Sequence, residues 1–239
     1  GYGDIEPFSS TLHRTPSLKR LAAEGMKFTH YYSASGVCSP SRAALMTGSY
    51  PRRVSMDVTD GAVLRPVSEF GLHPDEVTIA EVLKLSGYRT YMAGKWHVGT
   101  LDKDTWPIAR GFDRYYGTIT GAGSFFDPGT LTRDNTMISP FADPEYEPNV
   151  YYYTDAITDH AISFIDGRGR EGTPFFLYLS YTAPHFPLHA LSEDIARYRG
   201  RYLAGWDALR RQRHRRQLEL GLLDPDWPLS RRDPDVPAW

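Results

Sequence analysis

Phe175-Phe176-Leu177-Tyr178-Leu179-Ser180 is an unbroken apolar run closed by a serine. A strand with one wet face alternates apolar and polar residues. A run without alternation suits a strand buried on both faces, the environment of a parallel sheet covered by helices. The segment Thr78 to Gly87 fits the same architecture: Thr78 caps a helix, Ile79, Val82 and Leu83 mark its buried face, and Gly87 ends it. Tyr88 to Ala93 reads as the next strand and runs straight into Gly94-Lys95-Trp96-His97-Val98-Gly99. Helix, glycine, strand and then a charged loop is the rhythm of an α/β sheet, which carries functional groups beyond its strand C-termini.

Thr15 and Pro16 start a helix whose face is Leu18, Leu21 and Ala22, and Gly25 ends it. Residues 26–32 alternate and are rich in strand formers, which predicts a strand. Arg52 to Pro74 has no period and reads as a surface excursion, and Thr100 to Pro148 reads as loop-rich. A helix is expected from Thr154 to Gly167, with Ile157, Ala161, Ile162 and Ile165 on one face. Ser192 to Leu220 reads as a long helix, weakened by Gly200 and Gly205, and Asp224 to Trp239 as a Pro-rich extended tail. No linker or repeat divides residues 1–239, so one partial domain is expected, with the helix and tail of residues 192–239 included.

Charge and length exclude some functions. Arg210, Arg211, Arg213, Arg215 and Arg216 crowd one segment, but the formal net charge is -2. A solvated helix face therefore explains them better than a nucleic-acid site. No run of about 18 apolar residues is present, so no membrane span is expected. The lone Cys38 excludes an internal disulfide. No signal peptide is visible, but the chain opens on Gly1 rather than methionine, and both ends read as cut.

Cys38 sits where a loop turns into a helix. Ser39 is expected as N-cap and Pro40 as the first helical residue, with Arg42 one turn after Cys38 and Gly48 at the end. A sulfur at a helix N-terminus beside an arginine suits a nucleophile that carries and releases an anion. A lone cysteine is equally at home as a packed thiol. Lys95 with His97, and His185 in Ala183-Pro184-His185-Phe186-Pro187, lie on two further strand-end loops. Taken jointly these residues describe an anion site, with cations to hold charge and histidines to move protons.

The segment Cys38-Ser39-Pro40-Ser41-Arg42 matches the C-x-P-x-R core by which sulfatases are recognised, and Ala43 to Gly48 resembles its continuation. Gly87-Tyr88-Arg89-Thr90 with Gly94-Lys95-Trp96-His97-Val98-Gly99 resembles the second sulfatase signature, and the His185 segment resembles the family's third histidine loop. The similarity extends over nearly the whole chain, including Arg110-Gly111-Phe112-Asp113 and the long helix with its Pro-rich tail, a region that looks most like bacterial arylsulfatase-type members. It implies an α/β, alkaline-phosphatase-like three-layer sandwich with a mostly parallel central sheet. It also implies hydrolysis of a sulfate ester, in a small molecule or sulfated sugar, to an alcohol and inorganic sulfate.

The resemblance implies roles as well. Cys38 would be oxidised by a formylglycine-generating maturation enzyme, and the hydrated aldehyde would attack sulfur and later regenerate by expelling sulfate. Arg42 would hold the diol oxygens, Lys95 the sulfate oxygens, His97 would act as base, and His185 would bind substrate and protonate the leaving alcohol. The family binds calcium, with the formylglycine derived from Cys38 as one ligand. Its Asp pair would precede Gly1 and its Asp-Asn pair would follow Trp239; Asp4 matches neither. The expectation is thus a fragment with nucleophile and sulfate clamp but without a complete metal site, inactive alone, from a periplasmic or secreted protein. Phosphate-ester hydrolysis and a non-catalytic anion-binding remnant are the alternatives. Loops Arg52 to Pro74 and Asp127 to Tyr152 are expected to shape the alcohol pocket.

Overall fold

The computed structural model describes residues 3–56, 63–167 and 172–239. Gly1 and Tyr2 of the opening motif, and residues 57–62 of the 52–74 excursion, lie outside them. The chain forms two compact units, Ser33–Ala190 and Gly1–Tyr32 with Leu191–Trp239.

The Ser33–Ala190 unit is built on one sheet. Its strands are β1 (Arg89–Gly94), β2 (Arg114–Thr118), β3 (Leu131–Arg133), β4 (Thr136–Met137) and β5 (Phe175–Ser180), in the order β4-β3-β2-β1-β5. β1 pairs in parallel with β2 and β5, while β3 and β4 add antiparallel strands beyond β2. Ala93 is opposite Tyr116 on one side and Leu179 on the other, so β1, β2 and β5 end at one edge. Side chains of β1 alternate between two helical layers. Met92 joins Ala43 and Met46 of α2 (Cys38–Thr47) and Ala80 of α3 (Ile79–Leu85) in the main core. Tyr91 faces the other way, 5.7 Å between ring centroids from Phe164 of α4 (Tyr153–Asp166).

Several expectations need correction. α2 begins earlier than the motif predicts: Val37 is the N-cap and Cys38 the first helical residue. The Ser39 hydroxyl is used elsewhere, accepting from the Leu64 amide at 3.0 Å. The 100–148 region contains β2, β3 and β4, strands too short and polar for the alternation test. β5 is not buried on both faces: it lies at the edge of the described sheet, and Phe175 and Leu179 are exposed. In α3 the face is carried by Ala80, while Ile79 and Val82 are exposed; in α4 Phe164 is buried and Ile162 is not. The 52–74 excursion sends Val54, Met56, Leu64 and Leu72 into the core, which an irregular backbone can do without any period.

Some expectations agree with the structure. α3 has a full capping box, with the Thr78 hydroxyl accepting from the Glu81 amide and the Glu81 carboxylate from the Thr78 amide. Gly48 ends α2 in the left-handed region at φ 67°, its amide donating to Ala44 O at 2.8 Å. Arg110, buried at the start of its Gly-Phe-Asp segment, bonds Glu81 at 3.2 Å and the carbonyls of Leu72, His73 and Glu76. One guanidinium thereby secures α3 and the chain before it.

The other unit holds α1 (Pro16–Glu24), α5 (Ser192–Tyr198) and α6 (Gly205–Glu219). The expected long helix is two helices, because Gly200 and Gly205 both adopt φ 80°, outside helical space. Residues 26–32 pair with no strand among the described residues, and Met26, Phe28, Tyr31 and Tyr32 are exposed. Strand propensity records fit to a half-buried pleat more than a preference of the backbone itself. In α1, Leu18 and Leu21 are also exposed. Thr15 is its N-cap but makes no capping bond; its hydroxyl instead accepts from the Glu6 amide at 2.9 Å.

Candidate active site

The shared edge of β1, β2 and β5 is where the polar residues gather. β1 ends at Gly94 and continues into Lys95, Trp96 and His97. Lys95 N donates to Ser180 O at 2.9 Å, and Trp96 N to Thr118 O, so the loop is tied to both neighbouring strands. Trp96 is fully buried in the core and donates from Nε1 to Thr105 O at 2.8 Å. That anchor holds Lys95 and His97, each 2% exposed, in place. Truncating such a tryptophan typically costs ~3–5 kcal/mol.

Cys38 arrives from the first turn of α2 and His185 from the loop after β5. Cys38 Sγ is 3.9 Å from His185 Nε2, and the Cys38 side chain acts on the Lys95 ammonium electrostatically. His185 Nδ1 donates to Phe186 O at 2.6 Å, because a carbonyl can only accept. His185 Nε2 is therefore the atom turned to Cys38. Arg42, one turn along α2, donates through Nη1 to Lys95 O at 2.6 Å, Ser180 Oγ at 2.6 Å and Tyr178 OH at 3.3 Å. Its charge is thus locked across the ends of β1 and β5.

His97 is the most constrained member. Its backbone is left-handed, φ 62°, a conformation that costs a non-glycine residue of order 1–3 kcal/mol. Its Nε2 lies 2.8 Å from Leu64 O and must carry the proton of that bond. Its Nδ1 is buried with no partner among the described residues. The ring lies flat on Gly121, where a Cβ would sit 2.6 Å from Nε2 and overlap the ring.

The charge balance follows from burial. Burial first, then the Arg42 guanidinium, hold the Lys95 pKa below its ordinary value, while the Cys38 side chain works against them. Burial pushes His97 down to about 4; Lys95, Arg42 and His185 add to this, and the Leu64 carbonyl opposes it. Burial thus works against charge on both Lys95 and His97, beside the Arg42 guanidinium.

All five residues singled out in the sequence, Cys38, Arg42, Lys95, His97 and His185, lie in this cluster. Ser180, Tyr178, Leu64 and Gly121 belong to it too and escaped notice. Ser180 alone left a signal, as the one polar residue closing the apolar run. Among the described residues no three His, Cys, Asp or Glu side chains come together to hold a metal ion. Among the described residues Arg42 bonds Lys95 O, Tyr178 OH and Ser180 Oγ, none of them a carboxylate. A hard dication needs several oxygen ligands, so the described residues do not by themselves fit calcium. No helix among them is long and apolar enough to cross a membrane.

A cleft of about 550 Å³ lies in the segment after β2, lined by Phe126, Asp127, Phe141, Glu147, Asn149 and Tyr151 among others. Phe126 is 5.6 Å between ring centroids from His189, four residues beyond His185.

Comparison with known proteins gives the family and the fold. The sulfatase family profile matches residues 1–225. An uncharacterized sulfatase of Schizosaccharomyces pombe is 35% identical over 93% of this chain and 43% of its own length. An arylsulfatase of Klebsiella aerogenes is 34% identical over 98% of this chain and 51% of its own length. The crystal structure of Ps i-CgsB in complex with k-i-k-neocarrahexaose superposes with a TM-score of 0.72 at 31% identity, covering 83% of this chain and 46% of that one. The chain therefore spans about half the length of the curated relatives it matches. The mixed, mostly parallel sheet between helices is the alkaline-phosphatase-like fold of these neighbours.

Proposed function

This chain belongs to the sulfatase family, and from that premise we propose that its protein hydrolyses a sulfate ester to an alcohol and inorganic sulfate. The observation that carries the reading is Cys38 at the start of α2, in reach of His185 Nε2 and Lys95, with Arg42 locked behind it. Cysteine Sγ here stands in for an oxygen of the hydrated aldehyde that a maturation enzyme makes from Cys38. When present, that group supplies one hydroxyl to attack sulfur and a second to release sulfate, which a thiol lacks.

The side chains divide the remaining work. Lys95 and Arg42 hold the negative oxygens of the ester; both are fixed before substrate arrives, so little reorganisation is needed. His185, once protonated at Nε2, gives that proton to the departing alcohol oxygen. Its Nδ1–H stays on Phe186 O throughout and keeps Nε2 aimed. His97, neutral and with Nδ1 unpartnered, accepts a proton as sulfate leaves. Calcium belongs to the family expectation, but the described residues do not fit it and no step here uses it.

We place the alcohol in the cleft beside Phe126. Its aromatic and acceptor lining suits a saccharide, and the oligosaccharide bound to Ps i-CgsB supports a sulfated sugar as the class. Family membership supports a periplasmic or secreted location. The test is mass spectrometry of the peptide spanning Cys38 in full-length protein made with a maturation system, alongside aryl-sulfate hydrolysis. The expected result is a mass loss from thiol to aldehyde together with sulfate release. An unmodified thiol and no hydrolysis would overturn the proposal in favour of an anion-binding protein, and preference for a phosphate ester would make it a phosphohydrolase.

A further inference from the structure

The neighbour of the nucleophile, Ser39, is 1% exposed and does not cap its helix. Its hydroxyl reaches the Leu64 amide, which donates to it at 3.0 Å. The same peptide chain turns its next group inward: Leu64 O accepts from His97 Nε2 at 2.8 Å. Leu64 belongs to no helix or strand, so no ladder fixes its carbonyl. Two hydroxyls flank it: Ser39 Oγ accepts from the Leu64 amide, and Ser68 Oγ accepts from the Arg65 amide, the other end of the peptide that carries Leu64 O, at 2.9 Å. On the opposite side Gly121 supports the ring and leaves it no room to tilt.

We propose that Ser39 is a positioning residue: it holds Leu64 at its amide, on the near side of the Cα from the carbonyl that fixes His97 as the Nε2–H tautomer with Nδ1 kept bare. The first turn of α2 then supplies the nucleophile position and also decides which nitrogen of a histidine elsewhere in the site can accept a proton. The role of His97 as a base rests on the function proposed above. The locked tautomer does not, since it is a property of the folded chain before any turnover. The C-x-P-x-R signature leaves position 39 open, so its hydroxyl answers to the fold and not to the motif.

The experiment is long-range ¹H–¹⁵N correlation of histidine-labelled full-length protein, read on the unmatured thiol form. Wild type should show His97 as a single Nε2–H tautomer. Ser39→Ala should shift the tautomer ratio by about 3- to 10-fold, the weight of one lost hydrogen bond. Ser39→Thr, which keeps the hydroxyl, should restore the wild-type spectrum. Ser41→Ala serves as control, because the Ser41 hydroxyl bonds Ser35 and not Leu64. An Nδ1–H tautomer in wild type would overturn the proposal even if Ser39→Ala failed to fold. So would an unchanged His97 signal in a folded Ser39→Ala, or an equal change in the Ser41→Ala control. Because no catalysis is read, failure of the sulfatase assignment leaves this result intact, and the converse holds too.

Discussion

Gly121→Ala puts one methyl group where the His97 ring already lies. The backbone at Gly121 is not left-handed, so alanine itself is tolerated there; the cost comes from the ring. Cβ would fall 2.6 Å from Nε2 and 2.7 Å from Nδ1, where ordinary contacts begin near 3.4 Å. The imidazole must therefore shift by about 1 Å. It cannot do so without stretching the 2.8 Å bond to Leu64 O, and it is 2% exposed, so water does not replace what is lost. Losing a buried hydrogen bond costs ~1–3 kcal/mol. A misplacement of this size in a catalytic constellation costs on the order of 10²-fold in rate. Denaturant unfolding should report the first effect and aryl-sulfate turnover by matured full-length protein the second. Rate loss below about 3-fold, with the His97 ring signals of wild type, would refute the argument that ring position is set by contact with Gly121.

Other perturbations test separate parts of the structure. The folded chain holds His97 near 4 against 6.5 when free, so between those pH values the unfolded chain binds a proton that the folded one does not. Stability is then fully present above the ordinary value and falls by about 3 kcal/mol as pH drops towards 4. His97→Gln should flatten that slope in pH-dependent unfolding. Arg133→Ala breaks a two-bond pair with Asp143 at 2.8 and 2.5 Å and leaves a carboxylate 4% exposed without its partner. A loss of ~3–5 kcal/mol in denaturant unfolding is expected. Ser180→Ala removes one of the three bonds that lock Arg42. It should destabilise by about 1.5–3 kcal/mol and raise KM for sulfate ester more than it lowers kcat.

The parts of the fold that could be read in advance were those whose signal is local. Thr78 and Glu81 form their capping box within one turn, and β1 follows from six residues that need no context. Residues 26–32 show the limit: their alternation is real, yet a strand exists only where another strand meets it. Val54, Met56, Leu64 and Leu72 show it from the other side, since an irregular segment fills a core without leaving a period. In the site, charged groups in recognisable motifs were visible. The atoms that aim them were not. Leu64 acts through its carbonyl and Gly121 through the absence of a side chain, and neither property is written in residue type.

The division into two units has a consequence for synthesis. Residues 33–190 are one uninterrupted stretch, so every contact within that unit can form as soon as its last residue clears the ribosome. The other unit is sewn from distant segments: His13 meets the Tyr202 hydroxyl at 2.9 Å, and Leu12 O meets Arg201 at 3.0 Å, each pair 189 residues apart. At ~5–20 residues per second, the early segment waits on the order of ten seconds or more for its partner. During that wait Leu18, Leu21, Phe28 and Tyr31 belong to a nascent chain whose middle can already fold.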